Sequence, residues 1–211
     1  MEKKVTYRTV NTYDTLNTLT SETKNVWIVF HGIGYLSRYF IRQFQPMNPV
    51  ENYIIAPQAP AKYYKDEEYK RIGASWLTKE NRDVEIENNL KYLDAIMEKE
   101  AIPPTANLIF LGYSQGVSIA ARWIASRKIV PAHFMIISGA FPKELTVSDF
   151  KFLENKTQIT HIVGERDPYF EKKNVLLEKE WLQKVLPHIQ FIVHPGGHEL
   201  NLESLPVICD F

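Results

Sequence analysis

A chain of 211 residues, 45% of them hydrophobic, is long enough to bury a sizeable core as one domain spanning 1–211 and too apolar to stay disordered. Its 25 basic and 25 acidic residues cancel and no basic block interrupts them, so charge gives no reason to expect a nucleic acid partner. The opening MEKKVTYRTV lacks the apolar stretch of a signal peptide, no run reaches membrane-spanning length, and a lone Cys209 excludes an internal disulfide; together these point to a cytoplasmic protein without a membrane span.

Short β-branched and aromatic runs alternate with longer amphipathic ones along the chain. VTYRTVNTYDTLN predicts one or two β segments joined near Asn11. VWIVF (26–30) predicts a buried strand, LSRYFIRQF (36–44) a helix, and NYIIAP (52–57) a strand stopped by Pro57. Over 84–100, Ile86, Leu90, Leu93 and Met97 share one helical face, with Pro103 beyond the end. NLIFLG (107–112) is a strand, and from Gln115 a helical stripe runs through Val117, Ala120, Ala121 and Ile124. HFMIIS (133–138) and QITHIVG (158–164) are strands. Residues 172–186 place Leu177, Trp181, Leu182 and Val185 on one helical face, and IQFIV (189–193) is the last strand. Strands that are apolar throughout are covered on both faces, so the expected fold is α/β: a mostly parallel central sheet flanked by helices, with an antiparallel N-terminal edge.

Residues 57–83 break this rhythm. PQAPAKYYKDEEYKRIGASWLTKENRD has no sustained period, and reads either as a solvated loop or as one lining a substrate mouth with Tyr63, Tyr64, Tyr69 and Trp76.

GYSQG (112–116) places Ser114 at a sharp turn between a predicted strand and a predicted helix, where ligands of such sheets bind. Gly112 and Gly116 suit the crowding of that turn, which lifts the Ser114 hydroxyl clear of the backbone. A serine hydroxyl is a weak nucleophile at neutral pH and needs a base held by a third group. In this arrangement the order along the chain is serine, acid, histidine. His188, His194 and His198 follow a plausible acid loop. His198 is preferred because Gly196 and Gly197 let its loop turn back, with His194 in reserve. The acid is expected in HIVGERDPYF. Asp167 is held extended by Pro168, with Glu165 and Glu171 as competitors. Cys209 has no glycine turn and reads as a small packed residue.

An oxyanion needs at least two donors. The Gln115 backbone N–H is one. HGIG (31–34), after the strand at 26–30, offers the Ile33 N–H as the other. A dinucleotide-binding turn would need a third glycine where this chain has Ser37.

FHGIG (30–34), APQAP (56–60), SW (75–76), GYSQG (112–116), ISGAFP (137–142), GERDP (164–168) and GGH (196–198) together resemble the phospholipase/carboxylesterase branch of the α/β-hydrolase superfamily, which includes the acyl-protein thioesterases. The resemblance implies an α/β-hydrolase fold without an inserted cap domain. It also implies a Ser114–His198–Asp167 triad, an oxyanion hole from the Ile33 and Gln115 N–H groups, and no metal or organic cofactor. The substrate is then a small-molecule ester or thioester, with His31, Tyr35 and Trp76 as candidate contacts. Two positions depart from the family pattern: Tyr35 stands where an acidic residue is usual, and Val117 where a second glycine is usual. The expected function is cleavage of carboxylic esters or thioesters through an acyl-enzyme. Acyl transfer or peptide cleavage on the same fold, and a non-catalytic binding module, are the alternatives.

Overall fold

A computed structural model describes residues 1–169, 172–200 and 202; Glu171 and Cys209 lie outside them. Seven strands form one sheet: β1 (Tyr13–Leu16), β2 (Asn25–Phe30), β3 (Asn52–Pro57), β6 (Asn107–Tyr113), β7 (His133–Ile137), β8 (Gln158–Gly164) and β9 (Gln190–His194). A separate two-stranded sheet pairs β4 (Ala61–Tyr64) with β5 (Ile72–Ser75). The large sheet runs β1-β3-β2-β6-β7-β8-β9; β1 is antiparallel to β3 and every other pair is parallel.

The apolar runs sort themselves by strand alternation. On β2, Val26, Ile28 and Phe30 enter one core, and Trp27 and Val29 the other. On β6, Phe110 joins the first core, and Ile109 and Leu111 the second. Helices α2 (Arg82–Glu100), α3 (Gln115–Arg127) and α5 (Lys172–Val185) feed the first core through residues such as Leu93, Ile124 and Leu182. The second core is capped by Phe40, Ile41 and Phe44, and by Leu200 and Leu202. Each fully buried aromatic or aliphatic side chain contributes about 1.5–3 kcal/mol. Phe30, Phe110 and Trp123 form a ring cluster, with centroids 5.2–6.1 Å apart, below the β6–α3 turn. Ala120 and Ala121 are fully buried, so α3 lies close against the sheet.

Several elements differ from expectation. Residues 1–10 are exposed and form no strand; their β-favouring residues have no partner strand to pair with. The helix predicted over 36–44 is a short α-helix, α1 (Ser37–Phe40), running into a 3₁₀ turn (Ile41–Phe44), with Phe40 and Phe44 both turned into the core. A short helix α4 (Val147–Phe150), opened by a Thr146–Asp149 capping box, precedes β8. The irregular segment at 57–83 carries the β4–β5 hairpin. On α5, Leu182 and Val185 are buried as expected, but Leu177 is exposed.

Candidate active site

The parallel strands bring the ends of β2, β6, β8 and β9 to one edge of the sheet, and the loops leaving them carry the site. Ser114 sits between β6 and α3 with φ 53° and ψ −120°, a conformation that side chains rarely adopt. Crowding imposes it. A Cβ on Gly112 would lie 2.6 Å from Val117 Cα, and one on Gly116 would lie 2.1 Å from the Phe30 carbonyl oxygen. The Ser114 N–H donates to the Ile137 carbonyl at 2.9 Å, and its carbonyl accepts from the Val117 N–H at 3.1 Å. The turn is thus held by β7 on one side and by α3 on the other.

The loops after β8 and β9 interlock. Glu165 N–H donates to the His194 carbonyl at 2.8 Å, and Arg166 N–H to the Gly196 carbonyl at 2.9 Å. A Cβ on Gly164 would lie 2.2 Å from the Gly197 carbonyl oxygen, so only glycine permits this approach. The result is one hydrogen-bonded chain of side chains. His198 Nδ1 lies 2.8 Å from Asp167 Oδ2, and His198 Nε2 lies 3.0 Å from Ser114 Oγ. An ionised carboxylate only accepts, so His198 Nδ1–H donates to Asp167 and Nε2 is left to accept from the Ser114 hydroxyl. The Asp167 side chain is fully buried and that of His198 is 20% exposed. Asp167 Oδ1 accepts from the Tyr169 N–H at 3.0 Å, which employs both carboxyl oxygens. Tyr113 donates from its hydroxyl to the His198 carbonyl at 3.0 Å, and Tyr169 packs edge-on to the imidazole at 4.7 Å. Burial, reinforced by Tyr35 nearby, raises the Tyr113 pKa, so its hydroxyl stays protonated as a donor.

The competing residues stand apart. His194 is buried in β9, and its Nδ1 accepts from the Gly196 N–H at 3.1 Å, bracing the loop that presents His198. Glu165 is exposed. Among the described residues, neither the Ile33 nor the Gln115 backbone N–H has an acceptor. A Cβ on Gly32 would lie 3.1 Å from Ser114 Cβ, so the 31–34 loop runs directly beside the serine.

The three candidate substrate contacts separate. His31 is fully buried; its Nδ1–H donates to the Gly32 carbonyl at 2.8 Å and its Nε2 accepts from the Ala59 N–H at 3.1 Å. Burial pushes its pKa down to about 4, so the ring is neutral. Trp76 is fully buried too, and its indole N–H donates to the His31 carbonyl at 2.8 Å. Both are therefore corrected from substrate contacts to supports behind the 31–34 loop, since neither exposes an atom to a ligand. Tyr35 is 39% exposed and packs edge-on to Tyr113 and Phe40. The sequence missed the Gln115 side chain, which spans to residues 75–77, and Tyr113; both flank Ser114 in GYSQG, and that adjacency was the available signal.

Among the described residues no helix is long and apolar enough to cross a membrane. None of the curated proteins matches the chain in sequence. Solved structures do. A phospholipase/carboxylesterase from Dyadobacter fermentans shares 19% identity over 94% of each chain, with a TM-score of 0.65. Acyl-protein thioesterase 2 from Zea mays shares 13% identity over 92% of this chain and 94% of that one, with a TM-score of 0.64. A carboxylesterase from Mesorhizobium loti shares 14% over 85% and 84%, also with a TM-score of 0.64. At these identities the likeness is one of fold. The family model for phospholipases and carboxylesterases matches residues 12–211, and by that match the chain belongs to the phospholipase/carboxylesterase family, with an α/β-hydrolase fold.

Proposed function

We propose that this chain, acting as a single domain over residues 1–211, is a serine hydrolase that cleaves carboxylic esters or thioesters through an acyl-enzyme. The supporting observation is the run Asp167–His198–Ser114, with separations of 2.8 and 3.0 Å, at a serine lifted by a strained turn. His198 Nε2 takes the Ser114 proton as Oγ attacks the acyl carbonyl. The oxyanion that forms is stabilised by the Ile33 and Gln115 N–H groups, which have no other acceptor among the described residues. Asp167 stays ionised, orients the ring and stabilises the imidazolium. His198 then protonates the leaving alcohol or thiol. Water enters, gives its proton to His198 and attacks the acyl carbon, and the returning proton frees Ser114 and the carboxylic acid. These steps need no cofactor. The single cysteine suits work in a reducing, cytoplasmic setting.

A panel of esters and thioesters of increasing chain length tests this reading. Turnover should fall by roughly 10³-fold or more in Ser114→Ala, because binding and the oxyanion donors alone retain only modest catalysis. Turnover in Ser114→Ala near that of the unaltered protein would refute it.

A further inference from the structure

The β4–β5 hairpin lies across the 31–34 loop. Gly34 N–H donates to the Ala74 carbonyl at 2.8 Å, and Tyr63 pairs with Gly73 across the hairpin. Two glycines make this contact possible. A Cβ on Gly73 would lie 2.7 Å from Gly34 Cα and 2.9 Å from Lys65 Cδ. A Cβ on Gly34, whose φ is +81°, would lie 3.4 Å from Lys65 Nζ and 3.5 Å from the Tyr63 hydroxyl. The missing side chains leave a trough in which the Lys65 stem lies, with its ammonium over Gly34 and the Tyr63 hydroxyl beside it.

The hairpin's other cations at its tip are neutralised: Arg71 pairs with Asp66 at 2.9 Å, and Lys70 with Glu68 at 2.5 Å. Among the described residues, no carboxylate forms an ion pair with Lys65. This ammonium stands over Gly34, the residue after Ile33, whose N–H serves the oxyanion in the proposed reaction. Gly34 is two residues beyond the Gly32 backbone that touches Ser114, which puts Lys65 Nζ on the order of 10 Å from the nucleophile. That separation leaves room for a short chain between a scissile carbonyl and an anion.

We propose that Lys65, assisted by the Tyr63 hydroxyl, recognises a carboxylate on the substrate, so that the site prefers esters carrying a nearby carboxylate over neutral esters of the same length. This inference rests on the serine hydrolase reading and names its substrate class. The ammonium donates to the carboxylate and Tyr63 O–H supplies a second donor. The partly exposed site makes the preference modest, about tenfold in kcat/KM at low salt, and weaker as salt rises.

Two ester pairs test it by acid release in a pH-stat. Monoethyl glutarate against ethyl pentanoate places the carboxylate on the acyl side; 3-acetoxypropanoate against propyl acetate places it on the alcohol side. A preference of about tenfold for the anion in either pair is expected, and that pair identifies the side that Lys65 reads. The ratio should fall to about one in Lys65→Met and invert in Lys65→Glu, a reversal that a merely structural lysine would not produce. Equal kcat/KM within both pairs, or an unchanged ratio in Lys65→Met, would overturn the inference while leaving ester hydrolysis standing. Absence of turnover on all four esters, with Ser114 also refusing an acylating probe, would overturn both readings.

Discussion

The Gln115 side-chain oxygen accepts a hydrogen bond from the Trp76 backbone N–H at 2.8 Å, joining the residue after the candidate nucleophile to the base of the β4–β5 hairpin. Its Nε2 donates to the Leu77 carbonyl at 2.7 Å, so one amide satisfies a donor and an acceptor of the same strand end. Trp76 in turn holds the His31 carbonyl. The hairpin, the 31–34 loop and the β6–α3 turn are therefore one mechanical unit. Gln115→Ala strands the Trp76 N–H and leaves the Leu77 carbonyl with the Ser75 hydroxyl as its remaining donor. It should lower stability by about 1–3 kcal/mol. Urea denaturation checks this: the midpoint should fall with the slope unchanged. An unaltered midpoint would mean that water replaces the amide without cost.

Val117 and Gly139 share a second contact of consequence. A Cβ on Gly139 would lie 2.4 Å from both Val117 Cγ2 and the Ser114 carbonyl oxygen. Where the family pattern has a second glycine after SQG, this chain has Val117, fully buried, and the bare Gly139 gives it room. Gly139→Ala should push the serine turn out of place, costing at least about tenfold in ester kcat/KM and about 1–3 kcal/mol of stability. Adding Val117→Ala should recover part of the stability but little of the activity, because the clash with the Ser114 carbonyl persists. Steady-state kinetics beside urea curves separate the two effects. Full recovery of activity in the double variant would show that the carbonyl contact is unimportant.

The inner strands were legible because both their faces are covered, which leaves unbroken apolar runs such as Trp27–Phe30. Ser114 and Asp167 were legible because each follows such a strand, whereas His198 follows the half-exposed edge strand β9 and was legible through the Gly196–Gly197 turn before it. The hairpin was not: all four residues of β4 are exposed, so no buried face imprints an alternation on AKYY. The mirror case is VTYRTV, whose β-favouring residues lie exposed without a partner strand. His31 and Trp76 have side chains suited to a ligand, yet both are buried by neighbours remote in sequence, which residue type does not reveal. The trough under Lys65 depends on the meeting of Gly34 and Gly73, which lie 39 positions apart in the sequence, a contact that only the folded chain makes.

Stability should fall on mild acidification. Burial lowers the pKa values of His31, His133 and His161 to about 4 each. In the unfolded chain these imidazoles protonate near their ordinary value of about 6.5. Between those limits the unfolded state binds more protons than the folded one, so stability declines as pH drops from about 6.5 towards 4. The combined loss is on the order of several kcal/mol. Urea midpoints measured at pH 7 and pH 5 should differ accordingly. Equal midpoints would mean that the three rings are already solvated in the folded protein.

Covalent labelling with a fluorophosphonate probe, followed by peptide mass mapping, asks most directly whether Ser114 is activated by His198. The folded protein should take up one probe, on the peptide that carries Ser114. Ser114→Ala should take up none, and His198→Ala should react at least about a hundredfold more slowly. A folded protein that leaves Ser114 unmodified, or one that labels as fast without His198, would contradict the proposed chemistry.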